Sequence, residues 1–128
     1  DDSYNANPVS SKMAVDVLSR VPGHKILVMG DMGELGKHAQ QMHSEVGRYI
    51  DQSEINNLYT VGANSAYANE MAKGQHFSNQ QRLITALEQQ LKQLKSTKTK
   101  VTILIKGSRG AAMEVVVNHI LSLGDLSC

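Results

Sequence analysis

Lys25-Ile26-Leu27-Val28-Met29-Gly30-Asp31-Met32-Gly33-Glu34-Leu35-Gly36 is the stretch from which the fold is read. Its first half is an unbroken apolar run of strand length, the pattern of a strand covered on both faces rather than one. Glycines at every third position then punctuate a loop over residues 30–37. Beyond it Met42, Val46, Tyr49 and Ile50 recur at helical spacing. The same strand, loop and helix order repeats downstream. Leu58-Tyr59-Thr60-Val61 reads as a short strand closed by Gly62, a weaker helix covers 65–72, and Gln75-His76-Phe77 is a brief strand. Ser78-Asn79-Gln80-Gln81 reads as a capping box with Ser78 as the cap, opening a helix with Leu83, Ile84, Leu87, Leu91 and Leu94 on one side. Val101-Thr102-Ile103-Leu104-Ile105 is the most strand-like run of all, and a last helix carries Met113, Val116, Val117, Ile120 and Leu121. Ahead of the first strand, Asn7 as cap and Pro8 at the first helical position start a helix whose apolar stripe is Val9, Met13, Val17, Leu18 and Val21, ended by Pro22-Gly23.

Parallel strands need crossovers, so strands alternating with helices imply a doubly wound, Rossmann-like α/β domain with a mostly parallel sheet. One domain spanning residues 1–128 is expected: the length suits a single core and no internal repeat or linker divides it.

Composition narrows the function classes. Hydrophobic residues make up 41% and aromatics 4%, with no Trp and one Phe, so the core must be aliphatic and base-stacking platforms are scarce. Thirteen basic residues against twelve acidic give a net charge of +1, which argues against a dedicated nucleic-acid binder. The charge is uneven: no acid lies between Glu88 and Glu114, while Lys92, Lys95, Lys98, Lys100, Lys106 and Arg109 do. The first four of these fit a solvated helix face and turn. The lone cysteine, Cys128, excludes a disulfide framework. No apolar run is long enough to span a bilayer and no signal peptide is visible. The chain opens on Asp1-Asp2 without an initiator Met, from which we expect a piece of something longer.

Ligands of open α/β sheets bind beyond the carboxyl ends of the strands. That rule selects the loops at 1–7, 30–37, 62–64 and 106–109. In the second, Asp31 stands where a dinucleotide fingerprint wants bare backbone, so a pyrophosphate site is disfavoured. Asp31 and Glu34 can instead hold an ammonium group or cap the following helix. Lys106-Gly107-Ser108-Arg109 follows the strongest strand and is expected to open the last helix. Two cations beside a helix N-terminus favour a carboxylate or phosphate. No G-x-x-x-x-G-K-[ST] segment occurs, so no triphosphate cradle of that kind is present. His43 reads as a packed or surface histidine, and the other histidines show no metal-ligand spacing.

Asp1-Asp2-Ser3-Tyr4-Asn5-Ala6-Asn7-Pro8, Gly30-Asp31-Met32-Gly33-Glu34-Leu35-Gly36 and Lys106-Gly107-Ser108-Arg109, in this order, resemble the carboxyl-terminal domain of the Mur ligases, in particular members that add D-alanyl-D-alanine. The resemblance covers essentially the whole chain. It implies a cytoplasmic, three-domain enzyme of peptidoglycan synthesis whose central domain holds the P-loop and Mg2+. ATP there phosphorylates the carboxylate of a UDP-N-acetylmuramoyl-tripeptide, and the D-alanyl-D-alanine amine attacks the acyl phosphate. The carboxyl-terminal domain closes over nucleotide and dipeptide and excludes water. Asp2, Asn5 and Asn7 match the hinge motif turned toward the nucleotide. Lys106, Ser108 and Arg109 match the loop facing the dipeptide, and Asp31 and Glu34 match the acids of the glycine loop. By this reading the chain alone is not catalytic, binds no cofactor tightly, and lacks the amino-terminal and central domains. It contacts neither nucleic acid nor membrane. A stand-alone small-molecule module that binds anions on the same fold is the alternative.

Overall fold

A computed structural model describes residues 6–123. Five helices and four strands alternate: α1 (Pro8–Ser19), β1 (His24–Met29), α2 (Ala39–Asp51), β2 (Asn57–Val61), α3 (Ser65–Ala72), β3 (Gln75–Phe77), α4 (Gln80–Ser96), β4 (Val101–Lys106) and α5 (Glu114–Ser122). The strands form one sheet of order β3-β2-β1-β4, with every described pairing parallel. Chain progression runs outward from β1 to β3, then jumps back to place β4 on the other side of β1. The topological reversal therefore lies between β1 and β4.

Alternation of side chains distributes the central strands between two cores. Leu27, Met29 and Leu58 face α1, α2 and α3 and pack with Val15, Leu18, Val46 and Ile50. Ile26, Val28, Tyr59 and Val61 face the opposite layer and meet Leu83, Leu87, Val116 and Ile120 of α4 and α5. Each such aliphatic side chain, fully withdrawn from water, is worth about 1.5–3 kcal/mol. The sheet is thus wound on both faces, as expected for a Rossmann-like fold.

Helix starts follow from local chemistry. At α1 the Ser10 N–H donates to Asn7 Oδ1 (2.9 Å), and the Asn7 N–H donates to Ser10 Oγ (3.1 Å). The expected cap is present, and the missing N–H of Pro8 falls where none is needed. At α4 the cap is Asn79 rather than Ser78: Asn79 Oδ1 accepts from the Arg82 N–H at 2.9 Å. Asn79 is extended in backbone conformation and one residue nearer the first helical turn, so it supplies the acceptor.

Two further expectations are corrected. Of the stripe assigned to α1 only Leu18 is buried in the core: Val9, Met13 and Val17 are 69%, 62% and 60% exposed. Ser11, Val15 and Leu18 are the buried residues, because α1 rests its other side on α2 and the sheet. Nor does Lys106-Gly107-Ser108-Arg109 open the last long helix. It leads into a single 3-10 turn at Arg109–Ala111, Ala112 takes a left-handed conformation (φ 52°), and α5 begins only at Glu114.

Candidate functional site at the carboxyl ends of β1 and β4

The loops that leave β1 and β4 meet where the strand order reverses. Backbone bonds join them directly: the Gly30 N–H donates to the Lys106 carbonyl (2.8 Å), and the Ser108 N–H donates to the Asp31 carbonyl (2.9 Å). Gly33 lies against Ser108, since a Cβ on that glycine would stand 3.0 Å from the Ser108 Cβ. On the other side the Gly33 N–H reaches the carbonyl of Ala6 (3.3 Å). The end of the opening octapeptide, the glycine loop and the lysine loop therefore share one rim. Asn7 sits there as the cap of α1. Asp2 and Asn5 lie outside the described residues.

Asp31 is the keystone of the first loop. Its Oδ1 accepts from both the N–H and the hydroxyl of Ser65 (2.7 Å each), and its Oδ2 accepts from the Asn64 N–H (3.2 Å). The carboxylate thus caps α3, across the sheet, rather than the helix that follows it in sequence. Its charge complements the N-terminal end of that helix. Gly62 makes the approach possible: a Cβ there would stand 2.4 Å from Asp31 Oδ1, and its φ of 112° suits only glycine. The carboxylate is occupied by the protein's own N–H and O–H donors, so Asp31 bears on a ligand through the loop it anchors. Glu34 is exposed, with a left-handed backbone (φ 58°), and presents the other acid of the loop to solvent.

His43 secures the same loop from below. Fully buried on α2, it accepts the Met32 N–H at Nε2 (3.0 Å) and donates from Nδ1 to the Ala39 carbonyl (2.7 Å). That pair of bonds requires the neutral ring with its proton on Nδ1. It is a packed histidine, as its sequence context suggests.

The second loop is built differently. Lys106 ends β4 and is buried, 7% exposed. Two residues after Leu104, which packs in the α1–α3 core, it stands on that same face of the sheet. Arg109 is exposed at the start of the 3-10 turn. Ser108 is extended and makes no side-chain cap. The two cations hence stand at the rim without the polarity of α5 behind them, so the expectation of an anion there keeps only their own charges in its support. Gln80 holds the turn that follows, its Nε2 donating to the carbonyls of Ala111 (2.8 Å) and Ala112 (3.2 Å).

The sequence placed Asp31, Asn64, Ser108 and Arg109 on loops at the strand ends but left out Ser65 and Gln80. Ser65 carried a signal, a glycine-closed strand running straight into a helix start. Gln80 carried none, being paired with residues about thirty positions away.

Comparison with known proteins now gives this mouth a context. The family model described as "Mur ligase, glutamate ligase domain" matches residues 2–109. The UDP-N-acetylmuramoyl-tripeptide--D-alanyl-D-alanine ligase of Escherichia coli (strain K12) is 42% identical over 125 residues, which are 97% of this chain and 27% of that protein. The ligase of the same name from Buchnera aphidicola subsp. Acyrthosiphon pisum is 39% identical over the full chain and 28% of its own length. A crystal structure of MurF from Acinetobacter baumannii superposes with a TM-score of 0.86 at 32% identity, over 95% of this chain and 27% of that one. MurF ligase from Thermotoga maritima, in complex with ADP, gives 0.68 at 27% identity over 92% of this chain and 26% of that one. The chain spans little more than a quarter of the relatives it matches. With its three loops gathered on one rim and nearly all of its length matched, the chain belongs to the Mur ligase family.

Proposed function

We propose that this chain is one domain, the carboxyl-terminal one, of an ATP-dependent ligase that joins D-alanyl-D-alanine to UDP-N-acetylmuramoyl-tripeptide in cytoplasmic peptidoglycan synthesis. One observation carries the reading: residues 6–8, the glycine loop and the lysine loop converge where β1 and β4 part, the place an open α/β sheet offers a ligand. The relatives' names and the ADP in the Thermotoga maritima protein support the same substrates.

Within that reading each group has a task set by its charge and position. Arg109 receives the dipeptide carboxylate or a phosphate oxygen, with Ser108 beside it as a hydroxyl donor. Lys106 adds positive charge from the buried side of the same loop. Glu34 meets the incoming ammonium, while Asp31 fixes the loop that carries it. Asp2, Asn5 and Asn7 form the hinge toward the nucleotide. Closure brings this rim over the acyl phosphate and keeps water from it. ATP hydrolysis and ligation need the P-loop of the central domain, and this chain alone performs neither. Among the described residues no three His, Cys, Asp or Glu side chains lie together in a way that could hold a metal ion. In this reading the Mg2+ that serves ATP is held by the central domain. None of the described helices is long and apolar enough to cross a membrane.

The test is phosphate release by the full-length protein, dependent on both tripeptide precursor and D-alanyl-D-alanine. Arg109→Ala is expected to lower kcat/KM for the dipeptide while leaving precursor KM in place. Turnover indifferent to D-alanyl-D-alanine, or ATP hydrolysis by the isolated chain, would overturn the proposal.

A further inference from the structure

The turn that carries Arg109 is held in a conformation that its own sequence does not favour. Among the described residues Glu34, Lys73, Lys98 and Ala112 are those other than glycine with a positive φ. Lys73 closes α3 and Lys98 follows the end of α4, where helices commonly finish with a left-handed residue. Ala112 differs: it closes the short 3-10 turn Arg109–Ala111 with φ 52° and ψ 45°. A left-handed alanine persists only where its surroundings hold it. Part of that hold is packing. Met113, 6% exposed, is wedged against both loops of the mouth: a Cβ on Gly30 would stand 2.7 Å from its Sδ, and one on Gly107 would stand 2.5 Å from its Cγ. The rest comes from the other layer of the sheet. Gln80, half-buried at the start of α4, donates from Nε2 to the carbonyls of Ala111 (2.8 Å) and Ala112 (3.2 Å). Carbonyls only accept, so the amide nitrogen must be the atom that faces them. Within the turn the Ala112 N–H closes on the Arg109 carbonyl (3.2 Å). Gln80 therefore grips the far end of a hydrogen-bonded ring that begins at Arg109.

We infer that Gln80 is a positioning residue for Arg109: by tying Ala111 and Ala112 to α4, it sets the direction in which the guanidinium leaves the rim. This role rests on the function proposed above, in which Arg109 receives the dipeptide carboxylate. A guanidinium grips a carboxylate through two parallel bonds, so its orientation counts as well as its charge. Released from Gln80, the turn relaxes toward the right-handed conformation that alanine prefers. The arginine then keeps its charge but loses its aim. The effect falls on the binding of the incoming dipeptide, since Gln80 touches the turn and acts through it.

The experiment is steady-state kinetics of the full-length protein carrying Gln80→Glu or Gln80→Asn. The first keeps the size of the side chain and replaces the donor by an acceptor; the second keeps the amide but falls short by one methylene. KM for D-alanyl-D-alanine is expected to rise by about tenfold in the first and about threefold in the second, with kcat and the precursor KM within about twofold. In an Arg109→Ala background, Gln80→Glu should change the dipeptide KM by less than about twofold, because the group it positions is gone. A rise that persists in full in that background would give Gln80 a role of its own and overturn the inference. A fall in kcat with both KM values raised alike would make Gln80 only a part of the frame, and would overturn it too. A dipeptide KM that moves in Arg109→Ala but in neither Gln80 variant would sink the inference and leave the proposed function standing. An unchanged dipeptide KM in Arg109→Ala itself would remove the role given to that arginine, and the role of Gln80 with it.

Discussion

The two loops at the mouth of the sheet are neighbours built on opposite plans. The glycine loop is bolted to the body of the protein: Asp31 by three bonds to the start of α3, Met32 by the ring of His43, Gly33 by the Ala6 carbonyl. The lysine loop has backbone ties at Lys106 and Ser108, then turns its arginine out to solvent. Acidic residues in the first loop look in sequence as chemical as the cations in the second. In three dimensions Asp31 is an internal fastening, and Arg109 is a side chain that a ligand can meet. The difference teaches that a charge at a strand end must be weighed by its hydrogen-bond partners before it is given to a substrate. It also divides substitutions into those that loosen the frame and those that touch the cargo.

The division is tested most severely at Asp31. Asp31→Ala leaves the Ser65 N–H, the Ser65 hydroxyl and the Asn64 N–H without their acceptor, and Ser65 is fully buried. A loss of about 2–4 kcal/mol is expected from urea unfolding, given about 1–3 kcal/mol for each buried group left unpaired and partial recovery by water. Asp31→Asn keeps an acceptor and should lose less. A change below about 0.5 kcal/mol in the alanine variant would break the comparison. Gly62→Ala should come next, at about 1–3 kcal/mol, since its Cβ would collide with Asp31 Oδ1 in a backbone conformation that only glycine adopts freely. The pair must be non-additive. Once the Asp31 carboxylate is gone, only the strain at φ 112° remains, so the double variant should be more stable than the summed single losses imply.

Arg109 sharpens the comparison from the other side. Exposed and outside both cores, it should tolerate Arg109→Ala with less than about 0.5 kcal/mol change in unfolding free energy. In the full-length protein the same change should lower kcat/KM for D-alanyl-D-alanine by about tenfold to a hundredfold, the worth of a charge-assisted hydrogen bond. An Arg109 variant that unfolds easily, or an Asp31 variant that is fully stable but inactive, would exchange the roles assigned to the two loops.

How much of this was legible in the sequence depends on what decides each feature. α4 was legible because its large apolar side chains, Leu83, Ile84, Leu87, Leu91 and Leu94, all fall on one side, so only one stripe can be buried. α1 was not. Val9, Met13 and Val17 obey the same spacing, but Val15, together with Leu18 of the expected stripe, offers a second apolar side, and the choice between them belongs to α2 and the sheet. Strand order, too, followed from alternation only as far as the fold class; the placement of β4 beside β1 fixes where the mouth opens. The loops carrying Asp31 and Arg109 were found from their strands. Their chemistry was not, because the donors to Asp31 come from residues 64 and 65 and the helix expected after Arg109 gives way to a 3-10 turn.

The smallest expected effect comes from outside both loops and gives the comparison its baseline. Tyr59 lies in the core, stacked on Phe77 with ring centroids 5.9 Å apart, and burial raises its phenol above the ordinary value of 10.0. Tyr49 is raised as well, chiefly by the hydrogen bond its hydroxyl donates to Asp16 and further by burial. A phenol whose folded value exceeds its unfolded one keeps its proton longer in the native state. Stability from this source is therefore full below about pH 10 and declines as pH rises through the folded values. Absorbance titration should find tyrosines ionising later in the native protein than in urea, and unfolding free energy should fall only above about pH 10. Tyr59→Phe should flatten that decline, and Arg109→Ala should leave it unchanged. An alkaline loss that moved with Arg109 would mean that the rim and the core are coupled, and the lysine loop could then no longer be treated as separate from the frame that supports it.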